Sequence, residues 1–304
     1  MRIAIIGLGR MGANMARRLA RRDIKVIGYN RSPEVAHELA REEENISAAD
    51  SVAKAIGHLS PPRVVWLMLP AGAPTEDHLR QVAERLEPGD LVVDGANSNF
   101  HDTRRRGEWL GERSIGFVDA GTSGGIWGLE NGYCMMVGGE KRYVELIEPA
   151  LKALAPAPDR GWAHVGPVGA GHYTKMIHNG IEYGMMQALA EGLALLRSRD
   201  EFGIDLAQVS EVWRHGSVVQ SWLLDLTADA LARDQSLEAI QPVVSDSGEG
   251  RWTAIEAVEQ GVPAPVMTLA LQMRFASQDQ EGYPARLLSV MRNAFGGHTI
   301  TKAE

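Results

Sequence analysis

Near its start the chain runs from an apolar segment, Ile3 to Ile6, through Gly7-x-Gly9-x-x-Gly12 and straight into an amphipathic helical pattern. Strand, glycine turn and helix in that order restrict the fold more than any other feature, because each glycine answers a different steric demand. Gly7 permits a tight turn, Gly9 lets backbone approach a pyrophosphate, and Gly12 lets helix and strand pack closely. The helix N-terminus adds free N–H groups and positive potential. Gly7, Leu8, Gly9, Arg10, Met11 and Gly12 therefore form a candidate dinucleotide loop, and Leu69 and Pro70, which close the later strand-like run VVWLMLP, are counted with it. At the end of the second strand pattern stand Asn30, Arg31 and Ser32, with no carboxylate among them. A carboxylate there would accept from an adenosine ribose and repel a 2'-phosphate, whereas these three can donate to that phosphate, so NADP is favoured and NAD left open. Arg17, Arg18, Arg21 and Arg22 read as the solvated face of the first helix.

The first half of the chain alternates β-branched runs (IAIIG, KVIGY, VVWLML, LVVDG) with helical patterns, the rhythm of βαβ units in a parallel sheet. Two more strand-like runs, GFVDAG and YCMMVGG, follow, and after GPVGAG helix formers dominate to about residue 295. The reading is an α/β Rossmann-type parallel-sheet domain over 1–165, followed by an all-α substrate and oligomerisation domain over 166–304. A helix from His172 to about Arg199 would run about 42 Å at 1.5 Å per residue and join the two. A net charge of −8 is the wrong sign for neutralising a phosphate backbone, so nucleic acid is not expected as a partner. No apolar stretch reaches the 18 or so residues that span a bilayer, and the glycine-broken start is not a signal peptide, so no membrane is expected either. The lone Cys134 has no internal disulfide partner, which suits a cytoplasmic setting.

Three polar clusters stand out. DGANS places Asn97 and Ser98 at the end of a strand, where open α/β sheets hold ligands. GTSGG offers the backbone N–H groups of Gly124 and Gly125 and the Ser123 hydroxyl, a natural cradle for a carboxylate. Lys175, His178, Asn179 and Glu182 fall at i, i+3, i+4 and i+7, on one helical face, with Tyr183 beside them. Such a stripe is usually solvated. Here Tyr173, Met176, Ile177, Ile181, Met185 and Met186 make most of the remaining helix apolar, which argues for a cleft. A partly desolvated lysine can act as a base and a buried carboxyl as an acid, the pair that a reaction with two proton transfers needs.

The runs GLGRMGANM, DGANSNFHDTRRR, AGTSGGIWGLENGYCMMVGG and GAGHYTKMIHNGIEYGMMQALAEG resemble the decarboxylating 6-phosphogluconate dehydrogenases, within the wider β-hydroxyacid dehydrogenase superfamily. The chain is shorter than the best-known members and resembles a short form. The resemblance implies that Lys175 accepts the proton of the substrate 3-hydroxyl as hydride leaves C3 for NADP or NAD. It also implies that Glu182 protonates C1 of the enediol left after carbon dioxide departs, giving ribulose 5-phosphate. Ser123, Gly124 and Gly125 would hold the carboxylate, with Asn97, His178 and Asn179 orienting hydroxyls and no metal required. For the phosphate, the implied set is Tyr183, Arg251, Thr253, Arg274, Arg292 and His298, with Arg251 standing where the family usually has lysine. A homodimer or homotetramer is implied as well, Arg292 and His298 reaching into a neighbouring subunit. The nearest rival is another β-hydroxyacid dehydrogenase or an imine reductase with an unphosphorylated substrate, which would leave the arginines without an anion. A non-catalytic dinucleotide-binding protein would have no use for both Lys175 and Glu182.

Overall fold

The computed structural model describes residues 1–301, apart from the side chain of Phe295. The chain forms two compact units, Met1–His178 and Asn179–Glu304. In the first, strands and helices alternate as β1 (Arg2–Ile6), α1 (Arg10–Ala20), β2 (Lys25–Tyr29), α2 (Pro33–Glu42), β3 (Ile46–Ala48), α3 (Val52–Gly57), β4 (Val64–Leu67), α4 (Ala73–Ala83), β5 (Leu91–Asp94), α5 (Phe100–Gly111), β6 (Gly116–Ser123), α6 (Gly128–Asn131), β7 (Cys134–Gly139), α7 (Lys141–Leu154) and β8 (Trp162–Gly166). The strands make one sheet in the order β3-β2-β1-β4-β5-β6-β7-β8.

Neighbouring strands run parallel except β6 and β7, which pair antiparallel from Val118 opposite Gly139 to Ser123 opposite Cys134. The Rossmann-type parallel sheet expected from the sequence is present, with one antiparallel joint that the strand-like runs themselves do not announce, and chain length explains it. β6 is eight residues long, about 27 Å at 3.4 Å each. The link to β7 contains a 3-10 turn, Gly125–Trp127, and α6, whose residues rise only about 1.5–2 Å apiece. Such a link cannot carry the chain back along β6, so β7 enters from the same end. β3, with three residues, and β8, an edge strand whose side chains do not alternate in burial, carry too weak a pattern to have been expected.

Alternation along the central strands feeds two cores. Ile3 and Ile5 face Met15, Leu19, Leu39, Ile147 and Leu151 of α1, α2 and α7. Ala4 and Ile6 face Ile56, Leu79, Val82 and Leu110 of α3, α4 and α5. Helices on both faces are what an almost wholly parallel sheet requires. One residue of α1 departs from the expected solvated face. Arg17 and Arg21 do pair with Glu42 and Glu43 near the surface. Arg18 is only 6 % exposed and donates to the carbonyls of Leu129, Ala153, Leu154 and Ala155. It falls between Met15 and Leu19 on the inner side of the helix, where the unpaired carbonyls ending α7 receive it.

α8 (Ala170–Arg197) is a single 28-residue helix, two residues displaced from the expected span, and no strand follows β8 among the described residues. The second unit takes up α8 from Asn179 and adds α9 (Leu206–Trp213), α10 (Trp222–Leu231), α11 (Glu249–Glu259), α12 (Pro265–Gln278) and α13 (Tyr283–Gly296). Its cores are small: Tyr183 with Ala270 and Leu271, and Leu193 with Leu206 and Leu231. Leu287, Leu288 and Met291 of α13 are exposed, as are Leu195, Val218 and Trp222.

In the first unit the Tyr133 hydroxyl is buried without a hydrogen-bond partner among the described residues, and burial pushes it up to about 12. Removing a polar group that already lacks a partner relieves a desolvation cost. Tyr133→Phe is therefore expected to leave stability unchanged or raise it by up to about 1 kcal/mol, read from the urea midpoint at constant m-value.

Candidate active site

β1 lies between β2 and β4, so the strand order reverses beside it and a crevice opens at the carboxyl ends of β1 and β4. The glycine loop occupies that crevice. Gly7 has φ +98°, and a Cβ there would run into the Met68 carbonyl and lie 2.9 Å from Leu69 Cδ2. A Cβ on Gly12 would collide with the Gly7 carbonyl oxygen. At Gly9 nothing lies within 4 Å, and no side chain caps the first turn of α1. Two glycines thus close the turn and the third leaves an open cradle facing helix N–H groups, which fits a pyrophosphate. Thr75 steadies the facing segment by donating to the Pro70 carbonyl at 2.8 Å.

Asn30 is tied into the loop itself. Its Oδ1 accepts from the Leu8 N–H at 3.0 Å and its Nδ2 donates to the Ser32 carbonyl at 3.3 Å, so its amide shapes the loop. Arg31 and Ser32 are exposed.

The DGANS turn hangs on a buried charge. Asp94 accepts from the Ala96 N–H at 3.0 Å and from Ser98 Oγ at 3.1 Å. Arg106, 2 % exposed, donates to Asp94 at 3.1 Å, to Ser98 at 3.0 Å and to Glu76 at 3.0 Å. Ser98, expected to touch a ligand, is buried in this network, whereas Asn97 between the two anchored neighbours is exposed. Burial pushes the Glu76 carboxyl up, but hydrogen bonds from Arg105 and Arg106 hold it below its ordinary value.

After β6 the chain turns through Gly124 and Gly125 at φ +140° and +51°, conformations that residues with side chains rarely adopt. α8 is seated on β6 by two devices. The Asp119 carboxylate accepts from the Gly169 and His172 N–H groups, both at 2.8 Å, and so caps the start of the helix. Glycines on both sides then permit contact of backbone on backbone. A Cβ on Gly121 would lie 2.5 Å from Lys175 Cβ and 2.8 Å from the Gly171 carbonyl, and one on Gly171 would meet Met136 and Asp119 carbonyls at 2.5 and 2.6 Å. Lys175 therefore sits directly over Gly121 at the end of the sheet. It is 7 % exposed, with Nζ 3.4 Å from His178 Nδ1. Asn179 is buried, and Glu182, further along the same helix, is half-buried.

In the second unit, Tyr183, Arg251 and Arg274 come together, with a member the sequence reading missed. Asp246, whose side chain is 3 % exposed, pairs with Arg251 and accepts from the Tyr183 hydroxyl at 3.3 Å. The Arg274 guanidinium lies 3.4 Å from the centre of the Tyr183 ring, and Arg251 stacks on Phe275. Thr253 is buried with its methyl against Gly180. Arg292 and His298 are exposed on and after α13, and no contact among the described residues joins Arg292 to this cluster. The acidic residues of SDSGEG gave a cue to Asp246, but nothing local says which of them turns inward.

A Rossmann sheet with this loop, and a buried lysine at its carboxyl edge, define an NAD(P)-dependent oxidoreductase. Comparison with known proteins makes the class narrower. Residues 2–166 match the model for the NAD binding domain of 6-phosphogluconate dehydrogenase, and residues 171–283 match that for the C-terminal domain. The chain belongs to the 6-phosphogluconate dehydrogenase family. It is 38 % identical over 302 residues, 99 % of this chain and all of the other, to a Bacillus subtilis protein provisionally named a 6-phosphogluconate dehydrogenase. It is 37 % identical, over the whole of both chains, to the NAD(+)-dependent, decarboxylating 6-phosphogluconate dehydrogenase of Haloferax volcanii. Among solved structures, the Plasmodium falciparum 6-phosphogluconate dehydrogenase, described in its apo form and in complex with NADP+ and with 6-phosphogluconate, superposes with a TM-score of 0.83 at 28 % identity. That match takes in 100 % of this chain and 66 % of the other.

Gly121→Ala is expected to displace α8 and with it Lys175, lowering turnover by about 10²-fold while dinucleotide affinity stays within about twofold. Fluorescence titration with reduced dinucleotide alongside steady-state kinetics checks both. A second expectation concerns acid. Burial raises the Asp246 carboxyl, but the Arg251 pair, the Gly248 N–H and the Tyr183 hydroxyl bring it below its ordinary value. A depressed carboxyl contributes stability above its unfolded value, about 3.9, that is lost as pH falls through the folded value. Asp246→Asn should therefore be less stable than wild type at neutral pH and lose less on acidification, as shown by denaturation at a series of pH values.

Proposed function

We propose that the protein catalyses the oxidative decarboxylation of 6-phosphogluconate to ribulose 5-phosphate and carbon dioxide, with NADP or NAD as hydride acceptor. The observation that carries this reading is Lys175, buried over Gly121 and within 3.4 Å of His178, one turn before Asn179 on a helix that goes on to Glu182. The open glycine cradle fits the dinucleotide, whose bound nicotinamide takes the hydride. Gly7, Gly9, Gly12, Leu69 and Pro70 would hold it, with Arg31 and Ser32 deciding between its two forms.

Lys175 Nζ accepts the proton of the 3-hydroxyl as C3 is oxidised. The resulting β-keto acid loses its carboxylate because the departing electron pair is delocalised into the ketone, which protonated Lys175 polarises by hydrogen bonding. Glu182 then delivers a proton to C1 of the enediol. Ser123 Oγ and the N–H groups of Gly124 and Gly125 hold the C1 carboxylate, and Asn97, His178 and Asn179 orient the hydroxyls. Tyr183, Arg251, Thr253 and Arg274 take the phosphate, completed by Arg292 and His298 from a second subunit. The apolar face of α13 supports such a homodimer or homotetramer, since large apolar patches left in solvent mark association surfaces. The exposed Cys134 thiol suits work in the cytoplasm.

One observation favours a second reading. Asp246 already neutralises Arg251, as it would in a relative whose substrate lacks a phosphate. Following absorbance at 340 nm with 6-phosphogluconate and with gluconate, while trapping carbon dioxide, separates the two. Reduction with stoichiometric carbon dioxide from the phosphorylated acid alone is expected, and activity with gluconate alone would support the second reading. Lys175→Met should lower turnover by about 10²–10⁴-fold with dinucleotide binding intact. Glu182→Gln should slow enediol protonation, and an unchanged overall rate would mean that another acid acts or another step limits.

A further inference from the structure

The segment between β6 and β7 begins in the candidate carboxylate cradle and is bracketed by glycines at positive φ, Gly124 and Gly125 at its start and Gly132 at its end. Between them Ile126 and Trp127 are 57 % and 48 % exposed, so apolar burial does little to hold the outer part of the loop. Its polar moorings come from α1. Asn14 Nδ2 donates to the Ile126 carbonyl at 3.3 Å, and Arg17 Nη1 orients that amide by donating to Asn14 Oδ1 at 3.2 Å. One turn on, Arg18 Nη1 donates to the Leu129 carbonyl at 2.9 Å. The same guanidinium is fixed from behind by the Leu154 carbonyl at 2.9 Å and the Ala155 carbonyl at 2.6 Å. α1 begins at Gly9 to Gly12, so its first turn belongs to the dinucleotide loop and its next two turns hold the loop that carries Ser123 to Gly125.

We propose that Asn14 and Arg18 are positioning residues through which α1 couples the two half-sites. An anion on the glycine loop fixes the first turn of α1, α1 holds the carbonyls of Ile126 and Leu129, and the carboxylate cradle is thereby pre-ordered for substrate. Arg18 suits the task because a planar guanidinium reaches several carbonyls in fixed directions, which a lysine ammonium cannot. The inference rests on the reading of Ser123, Gly124 and Gly125 as the carboxylate site.

ADP-ribose supplies the pyrophosphate without a nicotinamide ring, so it fills the glycine loop without itself reaching towards the reacting atoms. Hydrogen exchange of the full chain, with and without saturating ADP-ribose, is expected to slow in residues 126–131 by about threefold in the wild type. In Asn14→Ala and in Arg18→Lys that slowing should be lost while β5 and β6 exchange as before. In the same variants KM for 6-phosphogluconate should rise about fivefold, with kcat and ADP-ribose affinity within about twofold, the pattern of a lost coupling. Asn14→Ala removes two contacts near the surface, to the Ile126 carbonyl and from Arg17, and keeps the test valid should Arg18→Lys fold poorly. Unchanged exchange at 126–131 in the wild type, or full slowing retained in Asn14→Ala, would overturn the proposal. A wild type inert towards 6-phosphogluconate would count against the proposed reaction, and the exchange measurement would still decide the coupling.

Discussion

The candidate site depends on one close approach, that of the first turns of α8 to the end of β6. Backbone lies on backbone there, which only glycine allows at 121 and 171, and the Asp119 carboxylate closes the joint by capping the helix. Packed elements normally meet through interposed side chains. Removing those side chains brings the lysine stem down onto the strand and buries its amine, while the same helix runs on through Asn179, Glu182 and Tyr183. The glycine contact and the cap act on the same turn, so loss of either would release it.

A second constraint is electrostatic. Asp94 is fully buried and is tolerated because Arg106 and two hydrogen-bond donors surround it. Breaking such a pair from one side costs about 3–5 kcal/mol, since the remaining charge is left without compensation. That cost fixes the residues on either side of Asn97 and leaves Asn97 itself free to face a ligand. Turns are commonly mobile. This one is stiffened from beneath.

What could be read from the sequence divides by range. The glycine loop, the long helix and the Lys175 stripe are set within a few residues of themselves, where spacing is informative. Apart from β3, the strands were legible through β7, because each is a short apolar run, but the direction of β7 was not, since it depends on how much of a ten-residue link is helical. Arg18, Ser98 and Asp246 were misjudged or missed for a common reason. Each is polar, each sits among polar neighbours in the chain, and its burial is decided by partners far away: Ala155 for Arg18, Arg106 for Ser98, Tyr183 for Asp246. Composition marks such residues as surface. Only the tertiary contacts turn them inward.

The hydrogen bonding at the end of β2 is unevenly divided. Asn30 has both ends of its amide tied into the loop, while Arg31 and Ser32 project into solvent. Residue 30 is thus committed to architecture, and its neighbours are free to vary without disturbing the turn. Substitutions at positions 31 and 32 would therefore leave the hydrogen bonds of the glycine loop in place, whereas one at position 30 would break two of them at once.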